Sequence, residues 1–136
     1  MALFIDRFFQ VGRKNTISLK NDTQISRTGP WVSIPAETEF DRFFLGDFTA
    51  VEYTLFVDLD TTNKEIIKVL VIASLDKASL TVYGRSNLGV DLVNISATVN
   101  DSYVSVKATP TDEAYIKSKL VYNAFYFQNQ NLLLPT

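Results

Sequence analysis

The chain has 136 residues, of which 46% are hydrophobic, and it contains no cysteine and no histidine. This length and composition suit one domain with a sizeable core and are too small for two. The lack of cysteine and histidine excludes disulfides, thiolate nucleophiles, histidine general bases and the usual zinc ligand sets. Catalysis would have to rest on carboxylates, lysine, tyrosine or serine, and we expect one domain that is not an enzyme and holds no metal and no cofactor.

The formal net charge is −2, and it is unevenly distributed. Residues 1–30 carry five basic and two acidic side chains, and the remaining 106 residues carry eight basic and thirteen acidic ones. A basic segment on an acidic body suits head-to-tail packing of copies, although a chance distribution of the charged residues also explains the difference between the two segments. No apolar run approaches the roughly 18 residues that span a bilayer, and Asp6 and Arg7 interrupt the first ten residues. We expect neither secretion nor membrane anchoring.

Residues 1–14 are predicted to form an N-terminal arm or a short helix. Residues 2–9 are too apolar to remain exposed to water, and Gly12 begins a segment that interrupts whatever they form. The arm either closes one end of its own core or docks on a neighbouring subunit, and both interpretations stay open. The candidate partner-binding residues here are Leu3, Phe4, Ile5, Phe8, Phe9, Arg13 and Lys14.

Residues 15–26 alternate between apolar and polar side chains, which predicts a hairpin with a turn at residues 20–22. A short strand follows at residues 31–34. Residues 36–46 are predicted to form a helical turn, because Phe40, Phe43 and Phe44 have the spacing of one helical face. This aromatic stripe is more typical of a plug on the core than of a ligand platform.

Residues 48–59 alternate strictly and predict a half-buried strand. Residues 64–110 then indicate four consecutive strands joined by tight turns, as in a meander. The first of these strands, residues 66–73, is apolar except for Lys68, which is typical of a central strand covered on both faces. A two-residue loop at Asn100 and Asp101 predicts a type I′ turn.

The last strand is predicted at residues 115–127, where Lys117 and Lys119 point outward. We interpret these lysines as edge charges that discourage strand pairing, since two lysines on an acidic body are a weak nucleic-acid signal. Residues 128–136 form a predicted apolar tail, whose Leu132, Leu133 and Leu134 are further partner-binding candidates or fold back onto the domain. The whole pattern predicts an all-β antiparallel β-sandwich or jelly roll of about eight strands over residues 15–127.

Few patterns point to chemistry. Residues 58–65 carry oxygen ligands at alternating positions but lack the glycine of an EF-hand loop, so a hairpin loop explains them without calcium. The carboxylates at residues 112–113 and 37–39 have no neighbouring nucleophile and are interpreted as turn residues. A sugar-stacking surface remains an alternative, with exposed aromatic rings at Tyr83, Tyr103 and Tyr115.

The order of strands over residues 48–127 is distinctive, as are the Val-Tyr-Gly stretch at residues 82–84 and the Ala-Thr-Pro-Thr stretch at residues 108–111. In these features the chain resembles a small β module of virion structural proteins of tailed bacteriophages, notably cyanophages. The resemblance implies a non-enzymatic, multi-copy building block of a tail, baseplate or neck, in a virion assembled in the host cytoplasm.

The same resemblance implies which partners the chain has. They are other virion proteins and copies of itself, with no nucleic acid, membrane or small-molecule substrate. A capsid decoration protein and a carbohydrate-binding fibre module are the alternatives.

Overall fold

The computed structural model describes residues 15–18 and 24–129, which form ten strands and one short 3₁₀ helix at Glu113–Tyr115. The strands are β1 (Asn15–Ser18), β2 (Gln24–Thr28), β3 (Val32–Ser33), β4 (Thr38–Phe44), β5 (Phe48–Asp58), β6 (Lys64–Ala73), β7 (Ala78–Asn87), β8 (Val93–Asn100), β9 (Tyr103–Pro110) and β10 (Lys119–Gln128). The prediction of an all-β chain is confirmed.

The strands form two antiparallel sheets. The large sheet has seven strands in the order β1-β2-β10-β5-β6-β7, and β3 pairs with the beginning of β10. The small sheet has three strands in the order β4-β9-β8. The β1–β2 hairpin confirms the strands predicted within residues 15–26, while the predicted turn at residues 20–22 lies outside the described residues.

The core lies between the two sheets and follows from the alternation of β5, β6, β9 and β10. From Val51 onward, every second residue of β5 is buried, as predicted, and β6 and β10 repeat this pattern. Aromatic rings from both sheets meet in the middle: Phe40 of the small sheet contacts Tyr53 edge-on at 5.9 Å and Tyr122 at 5.4 Å between ring centroids. Such pairs add to the burial of their large apolar area.

The four strands predicted within residues 64–110 are present, but they do not form one meander. The β6–β7 hairpin belongs to the large sheet, whereas the β8–β9 hairpin belongs to the small one. Glu65 fixes the crossing between them, because its buried carboxylate accepts hydrogen bonds from Arg85 Nη1 at 2.5 Å and from the backbone N–H of Leu92 at 2.9 Å. Local alternation does not reveal which sheet a hairpin joins.

The turn between β8 and β9 is of the predicted kind but lies one residue later. Asp101 and Ser102 both adopt positive φ, at 52° and 69°, which is the backbone of a type I′ turn. Asn100 and Tyr103 are the strand partners that flank this turn. The right-handed twist of the hairpin favours this turn, and aspartate tolerates it better than most residues.

The helical turn predicted at residues 36–46 is wrong, because this segment forms β4. The register of β4 against β9 shifts between Glu39 and Asp41, so one extra residue is inserted as a β-bulge. The bulge leaves Phe40, Asp41 and Phe43 buried and Phe44 exposed. Because of the bulge, Phe40 and Phe43 both point inward although they are three residues apart, which is the spacing of one face of a helix.

Candidate functional site

The outer face of the large sheet, which points away from the small sheet, is rich in apolar side chains. Ile72 is 60% exposed, Ile66 and Leu70 are each 45% exposed, and Phe127 is 44% exposed. The outer face consists of Ala50, Glu52, Thr54, Phe56, Ile66, Lys68, Leu70, Ile72, Val121, Asn123, Phe125 and Phe127. Exposed apolar patches are often found at interaction surfaces, which makes this face a candidate functional site.

Within residues 15–18 and 24–129, the prediction that residues 66–73 are covered on both faces is therefore wrong. Ile67, Val69 and Val71 are buried against the small sheet, whereas the alternate side chains lie on the outer face. The apolar run is typical of a doubly covered strand, yet no strand or helix in the described part of the chain packs over its second side, although the Tyr83 side chain of β7 reaches Glu52 of β5 there. β6 has the sequence of a buried strand and an exposed outer face.

The register across β10, β5 and β6 arranges the outer face in rows. Phe127 lies opposite Ala50, which lies opposite Ile72. At the other end of the face, Val121 lies opposite Phe56, which lies opposite Ile66. Between them runs a narrow polar band: Glu52 accepts a hydrogen bond from the Tyr83 hydroxyl, and Lys68 donates to Thr54 Oγ1 at 2.9 Å. The hydrogen bond to Glu52 raises the pKa of Tyr83.

The outer face of the small sheet has the opposite character. Its outward positions on β8 and β9 are mostly small polar or charged residues, namely Asn94, Ser96, Thr98, Asn100, Ser105, Lys107 and Thr109. Tyr103 adds a half-exposed ring, with the Arg42 guanidinium 5.7 Å from its centroid. Antiparallel sandwiches commonly expose such polar faces to water, so the two outer faces differ in their expected surroundings.

An open groove of about 580 Å³ lies at one end of the large sheet, where β3 and β10 meet the β5–β6 loop. We call it the Trp31 groove. Its lining residues are Trp31, Asp58, Leu59, Asp60, Thr61, Lys64, Lys117 and Lys119. The Trp31 ring is 51% exposed and contacts Phe56 at 5.8 Å between centroids. Sequence reasoning did not single out Trp31.

The interpretation of Lys117 and Lys119 as edge charges is wrong. β10 lies inside the large sheet, paired with β5 on one side and with β2 and β3 on the other. Lys119 is its first residue, and Lys117 lies in the turn before it. Both lysines line the Trp31 groove instead.

A buried carboxylate, Asp41, is the centre of a polar cluster between the sheets. It accepts hydrogen bonds from the hydroxyls of Tyr53 at 2.7 Å, Tyr122 at 2.9 Å and Tyr126 at 2.5 Å. Arg27 of β2 approaches it at 3.5 Å and lies 4.6 Å from the centroid of the Tyr126 ring. The cluster thus joins β2, β4, β5 and β10.

Burial raises the pKa of all three tyrosines, and the negative charge of Asp41 raises it further. The pKa of Arg27 is raised as well: burial lowers it, but the nearby Tyr126 and Asp41 outweigh burial. The side chain of Asp41 has no exposed surface. A dissolved substrate therefore does not reach this carboxylate in the folded chain, and the arrangement is that of a structural network.

The sequence-predicted partner-binding residues at both ends, from Leu3 to Lys14 and from Leu132 to Leu134, lie outside the described residues. The structure does not bring the three candidate sugar-stacking rings together. Tyr83 lies over the outer face of the large sheet and Tyr103 on that of the small sheet, while Tyr115 is partly buried against the core. Each would have to act separately.

The loop after β5 is closed by its own hydrogen bonds. Asp60 Oδ1 accepts from the backbone N–H groups of Thr62 and Asn63, each at 2.8 Å, and the bond from Thr62 is the main reason why the pKa of Asp60 is lowered. Within residues 15–18 and 24–129, no three or more acidic side chains cluster as metal ligands do. No helix in that part of the chain is long and apolar enough to cross a membrane.

Comparison with solved structures finds phage tailspike proteins. The tailspike protein of Acinetobacter baumannii phage AM24 is 8% identical (TM-score 0.42) over 76% of this chain and 25% of its own. Tailspike protein gp49 of A. baumannii bacteriophage Fri1, a capsular polysaccharide depolymerase, is 9% identical, with a TM-score of 0.48. The match covers 93% of this chain and 21% of the gp49 chain. The tailspike protein of Acinetobacter phage vB_ApiP_P1 is 12% identical, with a TM-score of 0.40, and the match covers 89% of this chain and 24% of the tailspike chain.

The chain thus spans about a quarter or less of the length of these tailspike chains. Similarity at this level does not establish a shared function. No family model matches the chain, and no curated protein does.

Proposed function

We propose that the chain is a non-enzymatic structural subunit of a tailed-phage virion, present in several copies, which assembles through the outer face of its large sheet. We infer this assembly from the exposed side of β6, where Ile66, Leu70 and Ile72 face outward. The resemblance of the strand pattern to phage virion modules supports the location. The tail, baseplate or neck is the expected position.

The occupant of the outer face is a second copy of the chain. Glu52 and Lys68 are diagonal neighbours on adjacent strands, in the polar band that separates the apolar ends of the outer face. A two-fold axis that lies in this face and passes between them places Glu52 of each copy opposite Lys68 of the other. The same axis brings Thr54 and Leu70 close to their own counterparts. The face is thus complementary to itself in charge as well as in hydrophobicity.

The non-enzymatic part of the proposal is supported by how the buried carboxylates are used. Asp41 binds three tyrosine hydroxyls, and Glu65 binds Arg85 and the backbone of Leu92. Both groups stabilise connections within the sandwich and neither faces a cleft. General acid and base catalysis needs such groups within reach of a substrate.

A lysine in place of Leu70 is expected to weaken self-association by at least about tenfold. Each half-exposed leucine that an interface covers contributes roughly 1 kcal/mol, and two copies of Leu70 meet in the dimer. Sedimentation equilibrium over a concentration series measures the dissociation constant of the wild type and of Leu70→Lys. Far-UV circular dichroism verifies that the variant is folded, since its core is unchanged.

Thr98→Lys is the matched control, because Thr98 lies on the polar outer face of the small sheet. It should self-associate like the wild type. If the wild type is monomeric at every accessible concentration, or if both lysine variants weaken association equally, the outer face is not the contact between copies.

The location is tested separately by mass spectrometry of purified particles of the phage that encodes the chain. Detection in tail fractions supports the proposal, detection in tail-less capsids favours the decoration protein, and absence from the particle contradicts a virion role.

A further inference from the structure

The Trp31 groove has the size and composition of a ligand site. Its volume of about 580 Å³ lies within the range of roughly 300–1,000 Å³ that is typical of small-molecule sites. The groove is open to solvent and lies at the end of the large sheet, where Asp58 of β5 is two residues beyond Phe56 of the outer face. Open grooves suit a chain molecule that passes along the surface.

The groove has a fixed aromatic surface. The contact with Phe56, in an edge arrangement at 68°, holds the Trp31 ring while half of it stays exposed. An exposed indole that is held in place offers a flat apolar surface on which a ligand can stack. A pyranose ring, which is apolar on its C–H face and polar at its rim, matches such a surface in size and chemistry.

The charges around Trp31 are not equally available to a ligand. Asp58 binds Lys64 at 2.8 Å, and Asp60 is occupied by Thr62 and Asn63. Lys117 and Lys119 form no salt bridge with any residue in the described part of the chain. The charge that remains to attract a ligand is therefore positive.

We infer that the Trp31 groove binds an anionic saccharide, with a sugar ring stacked on Trp31 and its acidic group bound by Lys117 and Lys119. Thr61 lines the same groove and offers its hydroxyl to the sugar hydroxyls. A carboxylate and a sulfate are recognised by the same lysines. This inference shares only Phe56 with the proposed assembly, and the residues that would contact the saccharide are not part of the outer face.

Trp31 is the only tryptophan of the chain, so its fluorescence reports on this groove alone. Titration with oligogalacturonate and with a sulfated heparin oligosaccharide should give a saturable change in emission with at least one of them. Neutral maltohexaose, which lacks the acidic group, should give none. A flat response to both anionic probes overturns the inference, as does an equal response to maltohexaose.

Removing the lysines tests the assignment within the groove. Lys117→Ala combined with Lys119→Ala should raise the dissociation constant by about tenfold or more, whereas Lys107→Ala, on the opposite sheet, should leave it unchanged. If both changes have the same effect, binding is non-specific attraction to lysine and the inference fails. The Leu70→Lys variant should keep the fluorescence response, which separates this site from the contact between copies.

Discussion

Asp41→Ala is expected to lower the free energy of unfolding by about 3–5 kcal/mol, because it leaves the partly buried Arg27 and three tyrosine hydroxyls without their shared acceptor. The hydroxyls of Tyr53, Tyr122 and Tyr126 converge on this carboxylate from two central strands of the large sheet. The loss is a large part of the 5–15 kcal/mol that is typical of a domain. Urea unfolding followed by circular dichroism measures it.

Glu37→Ala is the matched control, since Glu37 is an exposed carboxylate shortly before the same strand. It should change the free energy of unfolding by less than about 0.5 kcal/mol. A double-mutant cycle with Tyr126→Phe tests the coupling: the double variant should lose less than the sum of the single changes. Additive losses, or an Asp41→Ala variant as stable as the control, would show that the cluster does not act as a unit.

Alkaline pH is expected to unfold the chain steeply above about pH 10. Tyr53, Tyr122 and Tyr126 have pKa values raised by burial and by Asp41, so the folded state keeps protons that the unfolded chain releases near pH 10. The stability that they contribute is fully present below that pH and is lost as the pH rises towards their folded-state values. Each tyrosine adds a slope of about 1.4 kcal/mol per pH unit.

Two measurements together check this expectation. Urea unfolding between pH 8 and pH 11 gives the slope, which Tyr126→Phe should reduce by about a third. Tyrosinate absorbance should show that part of the six tyrosines ionise only as the circular dichroism signal is lost. Ionisation of all six near pH 10 with an unchanged circular dichroism spectrum would mean that the hydroxyls are not held as the structure has them.

The strands were predictable because alternation is local. β5, β8 and β9 follow from period-two patterns alone, and β4 was missed because a bulge at Glu39 to Asp41 gives its aromatic residues a helical spacing. The assignment of hairpins to sheets was also missed. It depends on Glu65, whose partners lie 20 or more residues away.

The functional surfaces were harder to predict, because they are made by distant residues. Asp41 and Tyr126 are separated by 85 positions, and the Trp31 groove combines residues from three segments of the chain. One signal was present in the sequence: β6 carries apolar side chains on both of its faces, but the small sheet covers only one of them. That run predicted a second covered face, and among the residues that the structure describes this face is left exposed.

Cysteine cross-linking tests the assembly most directly, since the chain has no cysteine of its own. Thr54→Cys places a single thiol near the proposed two-fold axis, and Thr98→Cys places one on the small sheet. With a short bismaleimide, the Thr54→Cys chain should be trapped as a covalent dimer, and the Thr98→Cys chain should remain monomeric. Cross-linking that is equal at the two positions, or that occurs only at residue 98, would contradict an assembly through the outer face of the large sheet.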